Sequence, residues 1–232
     1  MMRVDAITTC AGPQYAAYLA RTLPVWLDTL DSLTVATTAI CNEDWVFDLT
    51  VGIAGRWCQR PNHPCNARIN RNLTIIGTDA FTKHDAHFNK GAALNDAYTE
   101  AKPKDWVLSI DCDVLPPPNW REHLADIKPG YFYGCHRSDK HAMQPSGYFQ
   151  LWHVSDAQAG PFPECYGHAG RYDTAFTERW PVDKRRMLPL ILQHLGEPAT
   201  HWHGPGNEQL TAAMLRDGVT AYRARDERLV AE

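Results

Sequence analysis

Residues 105–118 read Asp-Trp-Val-Leu-Ser-Ile-Asp-Cys-Asp-Val-Leu-Pro-Pro-Pro, and no other stretch constrains the fold as strongly. Residues 106–110 are a short, mostly apolar run, the pattern of a strand buried on both faces. The run ends in Asp111-Cys112-Asp113. Side chains alternate across a strand, so both acids are expected to leave on one side and Cys112 on the other. The prolines from Pro116 are expected to stop the strand just past the acids. Open α/β sheets bind ligands at the carboxyl ends of their strands. Two carboxylates there repel unless a cation lies between or beside them. Hard oxygen ligands suit Mg2+ or Mn2+, ions that usually accompany a phosphate-bearing substrate. An Asp-x-Asp triplet alone is common; a buried strand ending in two acids is less so, because burying unpaired charge is costly.

The 232 residues suffice for one large domain, 1–232, and 44% hydrophobic content suffices for its core. The net charge of −4 provides no overall basic field for nucleic acid or an anionic membrane. No apolar run is long enough to cross a bilayer. The first residues, Met-Met-Arg-Val-Asp, form no signal-peptide core, which places the expectation in the cytoplasm. Seven cysteines without a Cys-x-x-Cys pair argue for free thiols rather than a disulfide framework. Cys58 and Cys65 bracket His63, with Cys41 upstream, but the spacing matches no standard zinc pattern.

The chain opens strand-helix-strand, the beginning of a parallel sheet. Residues 3–9 form the first strand, closing in Thr8-Thr9-Cys10-Ala11-Gly12-Pro13. Tyr15, Tyr18, Leu19, Leu23 and Trp26 recur at helical spacing, and 33–38 is β-branched. The loop after the first strand is neither a dinucleotide fingerprint nor a P-loop. A helix is expected over 43–57, a loop over 56–72 and a strand over 73–77. The polar segment 78–88 should lie at the carboxyl edge of the sheet. A helix then starts at Asn89-Lys90-Gly91 and ends near Pro103. Gly91 allows close backbone approach to a neighbour or ligand. The helix N-terminus beside Lys90 can receive an anion, although an isolated lysine is more often a solvated charge.

Asn-Lys-Gly-x-Ala-x-Asn-x-Ala, followed at about ten residues by an apolar strand ending in Asp-x-Asp, resembles the nucleotide-sugar-dependent glycosyltransferases of the GT-A fold. The likeness covers 88–118 by motif and 3–118 by element order. It implies an α/β, Rossmann-like mixed sheet, mostly parallel and flanked by helices. It also implies a nucleoside diphosphate sugar donor, UDP most commonly, and a divalent cation, often Mn2+. Carried over, Asp113 is a metal ligand. Asp111 contacts the nucleotide ribose, or the metal through water. Thr8, Thr9, Cys10 and Ala11 meet the base, and Lys90 and Asn95 lie on the donor side. Residues 1–118 become the nucleotide-sugar half and 119–232 the acceptor half.

Beyond residue 118 the pattern is less regular. Residues 131–134 and 148–154 read as strands, with a polar loop holding Arg137, Asp139, Lys140 and His141 between them. In the resembling enzymes a smaller mixed sheet here builds the acceptor side. Asp173 sits at the expected start of a helix. Many inverting members place an acid there that deprotonates the acceptor hydroxyl, so Asp173 is the base candidate and Glu164 the second. Helix N-capping is the alternative role for Asp173. Residues 187–195 are apolar and end in His194-Leu-Gly; His201 and His203 follow. The family often takes a third metal ligand from a C-terminal His, which suits Mn2+ better than Mg2+. His194 and His203 are the candidates, His194 preferred because it ends an apolar strand as the acids do. Trp180 and Trp202 suit sugar stacking or the core. A closing helix is expected over 207–218.

The resemblance thus implies transfer of a sugar to an acceptor hydroxyl, with inversion if Asp173 is the base. The acceptor stays open among a glycan, a small molecule and DNA with a hydroxylated base, the last suggested by the basic stretches 56–71 and 179–186. Three alternatives remain. A nucleotidyltransferase would carry a Gly-rich, Arg-bearing loop after the first strand, which is absent here. An Asp-x-Asp phosphatase usually places its acids after the first strand. A non-catalytic module could keep the fold.

Overall fold

A computed structural model describes residues 2–11, 13–38, 66–68, 72–85, 89–138, 145, 147–164 and 169–195. Strand β1 (Val4–Cys10) leads to helix α1 (Pro13–Thr29) and β2 (Ser32–Thr38). β3 (Asn66–Arg68) and β4 (Leu73–Thr78) follow, then a 3-10 turn, Ala80–Asp85. Helix α2 (Lys90–Ala101) and β5 (Trp106–Ile110) carry the two halves of the motif. The second half holds β6 (Val114–Leu115), β7 (Phe132–Arg137), β8 (Phe149–His153), α3 (Ala169–Thr177) and β9 (Arg185–His194).

The nine strands of the described residues form one sheet in the order β3-β4-β2-β1-β5-β8-β7-β9-β6. The block β4-β2-β1-β5 is parallel, as the opening strand-helix-strand pattern requires. β8 adds antiparallel to β5, and β9 runs parallel to β7.

Alternation along the central strands separates two apolar layers. Val4, Ala6 and Cys10 of β1 and Trp106, Leu108 and Ile110 of β5 face α1, where Leu19, Leu23 and Trp26 are buried. Ile7 of β1 and Val107 of β5 face the opposite layer with Ala93, Leu94 and Ala97 of α2 and Tyr172 and Phe176 of α3. Every residue of β5 is buried, which explains why the strand reads as an unbroken apolar run. Asn89 caps α2 through its side chain, which accepts from the Ala92 N–H. Lys102, in the left-handed conformation at φ 48°, ends α2 ahead of Pro103.

Several expectations are corrected. The stretch 56–72, expected to be loop, contains β3, an edge strand antiparallel to β4. Three residues reading Asn-Ala-Arg carry too little pattern to announce a strand. Arg137 ends β7 instead of lying in the loop, and it is buried. Trp180 is fully buried against Phe132 and Phe176 and belongs to the core, with no face open to a sugar. The helix expected over 43–57, the Cys41, Cys58, His63 and Cys65 group, Trp202, His201, His203 and the helix expected over 207–218 lie outside the described residues. Cys10, Cys112 and Cys135 are free thiols. Among the described residues no helix is long and apolar enough to cross a membrane.

Candidate active site

The two acids do not sit on the strand. β5 stops at Ile110, and Asp111-Cys112-Asp113 form the turn that leads into β6. The alternation argument therefore fails at this point, and the acids diverge. Asp111 pairs with Lys90 at the start of α2. Asp113 Oδ2 lies 3.2 Å from His194 Nε2 at the end of β9.

The turn is held from three sides through its backbone. The Asp111 N–H donates to Tyr148 O at 3.3 Å. From α1, Thr22 donates to Cys112 O at 2.8 Å and the Trp26 indole donates to Val114 O at 2.9 Å. From the end of β9, the Leu195 N–H donates to Asp113 O at 2.9 Å. Each such bond contributes about 1 kcal/mol net, and together they leave the turn little freedom. Cys112 does point away from the acids, into the α1 layer. Its contact with Cys10 and its burial push the thiol pKa up, so it stays neutral.

His194 reaches Asp113 because β9 pairs antiparallel with β6, with Val114 opposite His194. The His194 backbone N–H donates to Ser138 Oγ at 3.1 Å, beyond the end of β7. The side chains of the pair are 2% and 12% exposed, so the site is almost dry. Asp113 Oδ1 is buried and accepts no hydrogen bond among the described residues. A buried carboxylate oxygen without a donor is expensive. A carboxylate oxygen and an imidazole nitrogen side by side suit Mn2+. Among the described residues no group of three His, Cys, Asp or Glu could hold a metal. Of the metal-ligand candidates, Asp113 and His194 face each other, and Asp111 pairs with Lys90 through one of its oxygens.

Lys90 is 9% exposed, which removes the solvated-charge reading. Burial alone lowers its pKa; Asp111, then Tyr172 and Asp173, more than reverse this, and the ammonium stays charged. It lies 5.2 Å from the centre of the Tyr172 ring. Asp173 is the fifth residue of α3, not its cap, so the capping role falls away. Its Oδ1 is buried without a hydrogen-bond partner among the described residues. Burial raises its pKa to about 7, against the pull of Lys90 and with a further push from Asp111.

The remaining candidates are placed as follows. Thr8, Thr9 and Cys10 end β1 and Ala11 follows, all buried at the carboxyl edge of the sheet. Asn95 spends both ends of its amide on Phe162, donating to its carbonyl at 3.0 Å and accepting from its N–H. It braces the 161–164 segment and has no group left to aim at a ligand. α2 also approaches Pro163 closely at Gly91, so the neighbour this glycine admits is protein. Glu164, the second base candidate, pairs with Lys83 at 2.8 Å. Thr22, Trp26, Ser138, Gly147 and Gln150 support the site without any signal in the sequence, because each acts across a fold contact.

No family model and no curated protein matches the sequence. Solved structures do. The chain is similar to the mannosyltransferase PcManGT from Pyrobaculum calidifontis, solved with GDP-Man and Mn2+, at 17% identity and a TM-score of 0.59. The match covers 93% of this chain and 65% of that one, so this chain spans under two thirds of the mannosyltransferase. The fold is GT-A. Glucosyl-3-phosphoglycerate synthase from Mycobacterium tuberculosis, solved with Mn2+, UDP and glucosyl-3-phosphoglycerate, is also similar, at 15% identity and a TM-score of 0.53. That match covers 93% of this chain and 79% of the synthase. On a GT-A sheet the carboxyl edge of β1 and β5 is the ligand-binding edge, and Asp111, Asp113 and Lys90 gather there.

Proposed function

We propose that the protein is a metal-dependent glycosyltransferase that moves a sugar from a nucleoside diphosphate donor, UDP in the first instance, to an acceptor hydroxyl with inversion. The observation that carries this reading is Asp113 Oδ1: dry, unpaired among the described residues, and on the same carboxylate as the oxygen facing His194. Both solved relatives named above were captured with Mn2+ and a nucleotide, in keeping with that donor set. Asp113 and His194 would hold the cation, Mn2+ or Mg2+, which would supply positive charge to offset that of a leaving diphosphate. Lys90 keeps Asp111 fixed at the donor edge. The end of β1, from Thr8 to Ala11, meets the nucleotide base.

Asp173 takes the proton from the acceptor hydroxyl. That oxygen bonds to the anomeric carbon as the bond from this carbon to the diphosphate oxygen breaks. A carboxylate with a pKa of about 7 is matched to that role near neutrality, since a base works best when its pKa lies near the working pH. The acceptor is a hydroxyl compound carried by the second half of the chain, a glycan, a small molecule or a modified DNA.

A thermal-shift screen tests the proposal. UDP, GDP, CDP, ADP and their sugars are each added with Mn2+, Mg2+ or EDTA. A ligand that binds only the native state raises the melting temperature. One nucleotide should stabilise the protein only with the cation present, and Asp113→Ala should remove that shift. Absence of any shift with every nucleotide would overturn the reading.

A further inference from the structure

We infer that Gly147 and Gln150 are positioning residues that together form the seat of the Asp173 carboxylate. The inference rests on the reading of Asp173 as the base, but the geometry stands apart from it. A Cβ built on Gly147 would lie 1.8 Å from Asp173 Oδ2, 1.9 Å from Cγ and 2.5 Å from Oδ1. The whole carboxylate therefore occupies the space that a side chain at 147 would fill. The segment cannot simply retreat. Two residues earlier, Pro145 packs on β7, where a Cβ on Gly134 would lie 2.5 Å from Pro145 Cα. The segment is thus closed in between β7 on one side and α3 on the other.

Three residues beyond Gly147, Gln150 secures the helix that carries the acid. Gln150 is fully buried on β8. Its Nε2 donates to the Asp173 carbonyl at 3.1 Å and to Thr177 Oγ1 at 3.0 Å. These bonds fix the height and rotation of α3 over the sheet. Gln150 holds the helix while Gly147 leaves room for the side chain. The electrostatic setting of the seat comes from Lys90 on α2, Asp111 in the acid turn and Tyr172 on α3 itself. A methyl group at 147 would force the carboxylate out of the seat, or push α3 away from β8.

The test is a double-mutant cycle on stability, read together with turnover. Gly147→Ala should lower Tm by several degrees in the wild-type background. The Asp173→Ala change removes the clashing atoms, so Gly147→Ala should have little effect in that background. Additive losses would overturn the inference. Where Gly147→Ala alone fails to fold, a double variant that also fails to fold while Asp173→Ala folds would overturn it as well. The functional arm uses the donor identified by thermal shift and follows its turnover. Gly147→Ala and Gln150→Leu should each lower kcat at least about tenfold with the donor KM unchanged. They should also make the decline in stability from pH 4 to pH 8 shallower, as the carboxylate leaves its buried seat. Unchanged kcat in both, with Asp173→Asn inactive, overturns the positioning role. Coupled stability with a fully active Asp173→Asn keeps the seat and removes only the base assignment.

Discussion

An aspartate–histidine pair flanks strand β5 at each end, and the two pairs differ in exposure and in hydrogen bonding. At the amino end, Asp105 Oδ1 meets His153 Nε2 at 3.0 Å, and its Oδ2 accepts from the Arg3 N–H at 3.0 Å. His153 Nδ1 is in turn 2.7 Å from Ser155 Oγ. Every polar atom there has a partner, and Asp105 is 34% exposed. At the carboxyl end, Asp113 and His194 are nearly dry, and Asp113 Oδ1 has no donor among the described residues. The first pair joins strand ends. The second keeps a buried acceptor without a donor among the described residues, and the proposal assigns that acceptor to the cation. Residue identity does not distinguish the two pairs; completeness of hydrogen bonding does.

The comparison breaks most sharply at Asp113. Asp113→Ala should abolish cation-dependent nucleotide binding and reduce turnover beyond detection, with the far-ultraviolet circular dichroism unchanged. Retained Mn2+-dependent binding in calorimetry would move the metal elsewhere. Next comes Asp173→Asn, which should cut turnover about 100- to 10,000-fold while donor binding persists. Near-normal turnover would leave the acceptor without an assigned base. His194→Ala should weaken Mn2+ by at least about 10- to 100-fold in a titration followed by Tm, the loss expected even for an outer-shell partner of a metal ligand. The smallest effect belongs to the amino end. Asp105→Ala should cost about 1 kcal/mol in urea unfolding and leave metal and nucleotide binding intact. Loss of metal binding there would erase the distinction between the two ends.

Asp173 adds a pH signature. Its folded pKa of about 7 lies above the ordinary carboxylate value of 3.8. Between those values the unfolded chain has released the proton and the folded chain retains it. Stability therefore falls as pH rises from 4 to 7, by a few kcal/mol at most, and levels off above. Asp173→Asn should flatten that decline. Turnover should rise through pH 7 as the base ionises, and a flat profile from pH 5 to pH 8 would separate Asp173 from the proton transfer.

Much of the frame was legible because it is written in local patterns. The buried run of β5, the helical spacing of α1, the helix start at Asn89-Lys90 and the stop near Pro103 each depend on neighbours in sequence. The order strand-helix-strand then leaves few topologies to choose from. β3 escaped because three residues, Asn-Ala-Arg, are too few to carry a periodic signal. Trp180 could be read as core or as a sugar platform, since only packing tells which face is covered.

By itself, the sequence determined that two acids would close a buried strand, after a helix opening with Lys90; that the strand stops before them is a finding of the structure. It could not determine where each acid would turn. Asp113 meets a histidine 81 positions away because β9 folds back antiparallel on β6. Asp111 is claimed by Lys90, 21 positions earlier, because α2 packs beside β1 and places its first turn at the carboxyl edge. Asp173 acquires its raised pKa only when α3 seats it against Gly147. Partner choice, dryness and proton affinity arise from contacts between distant segments, and only the tertiary structure brings those segments together.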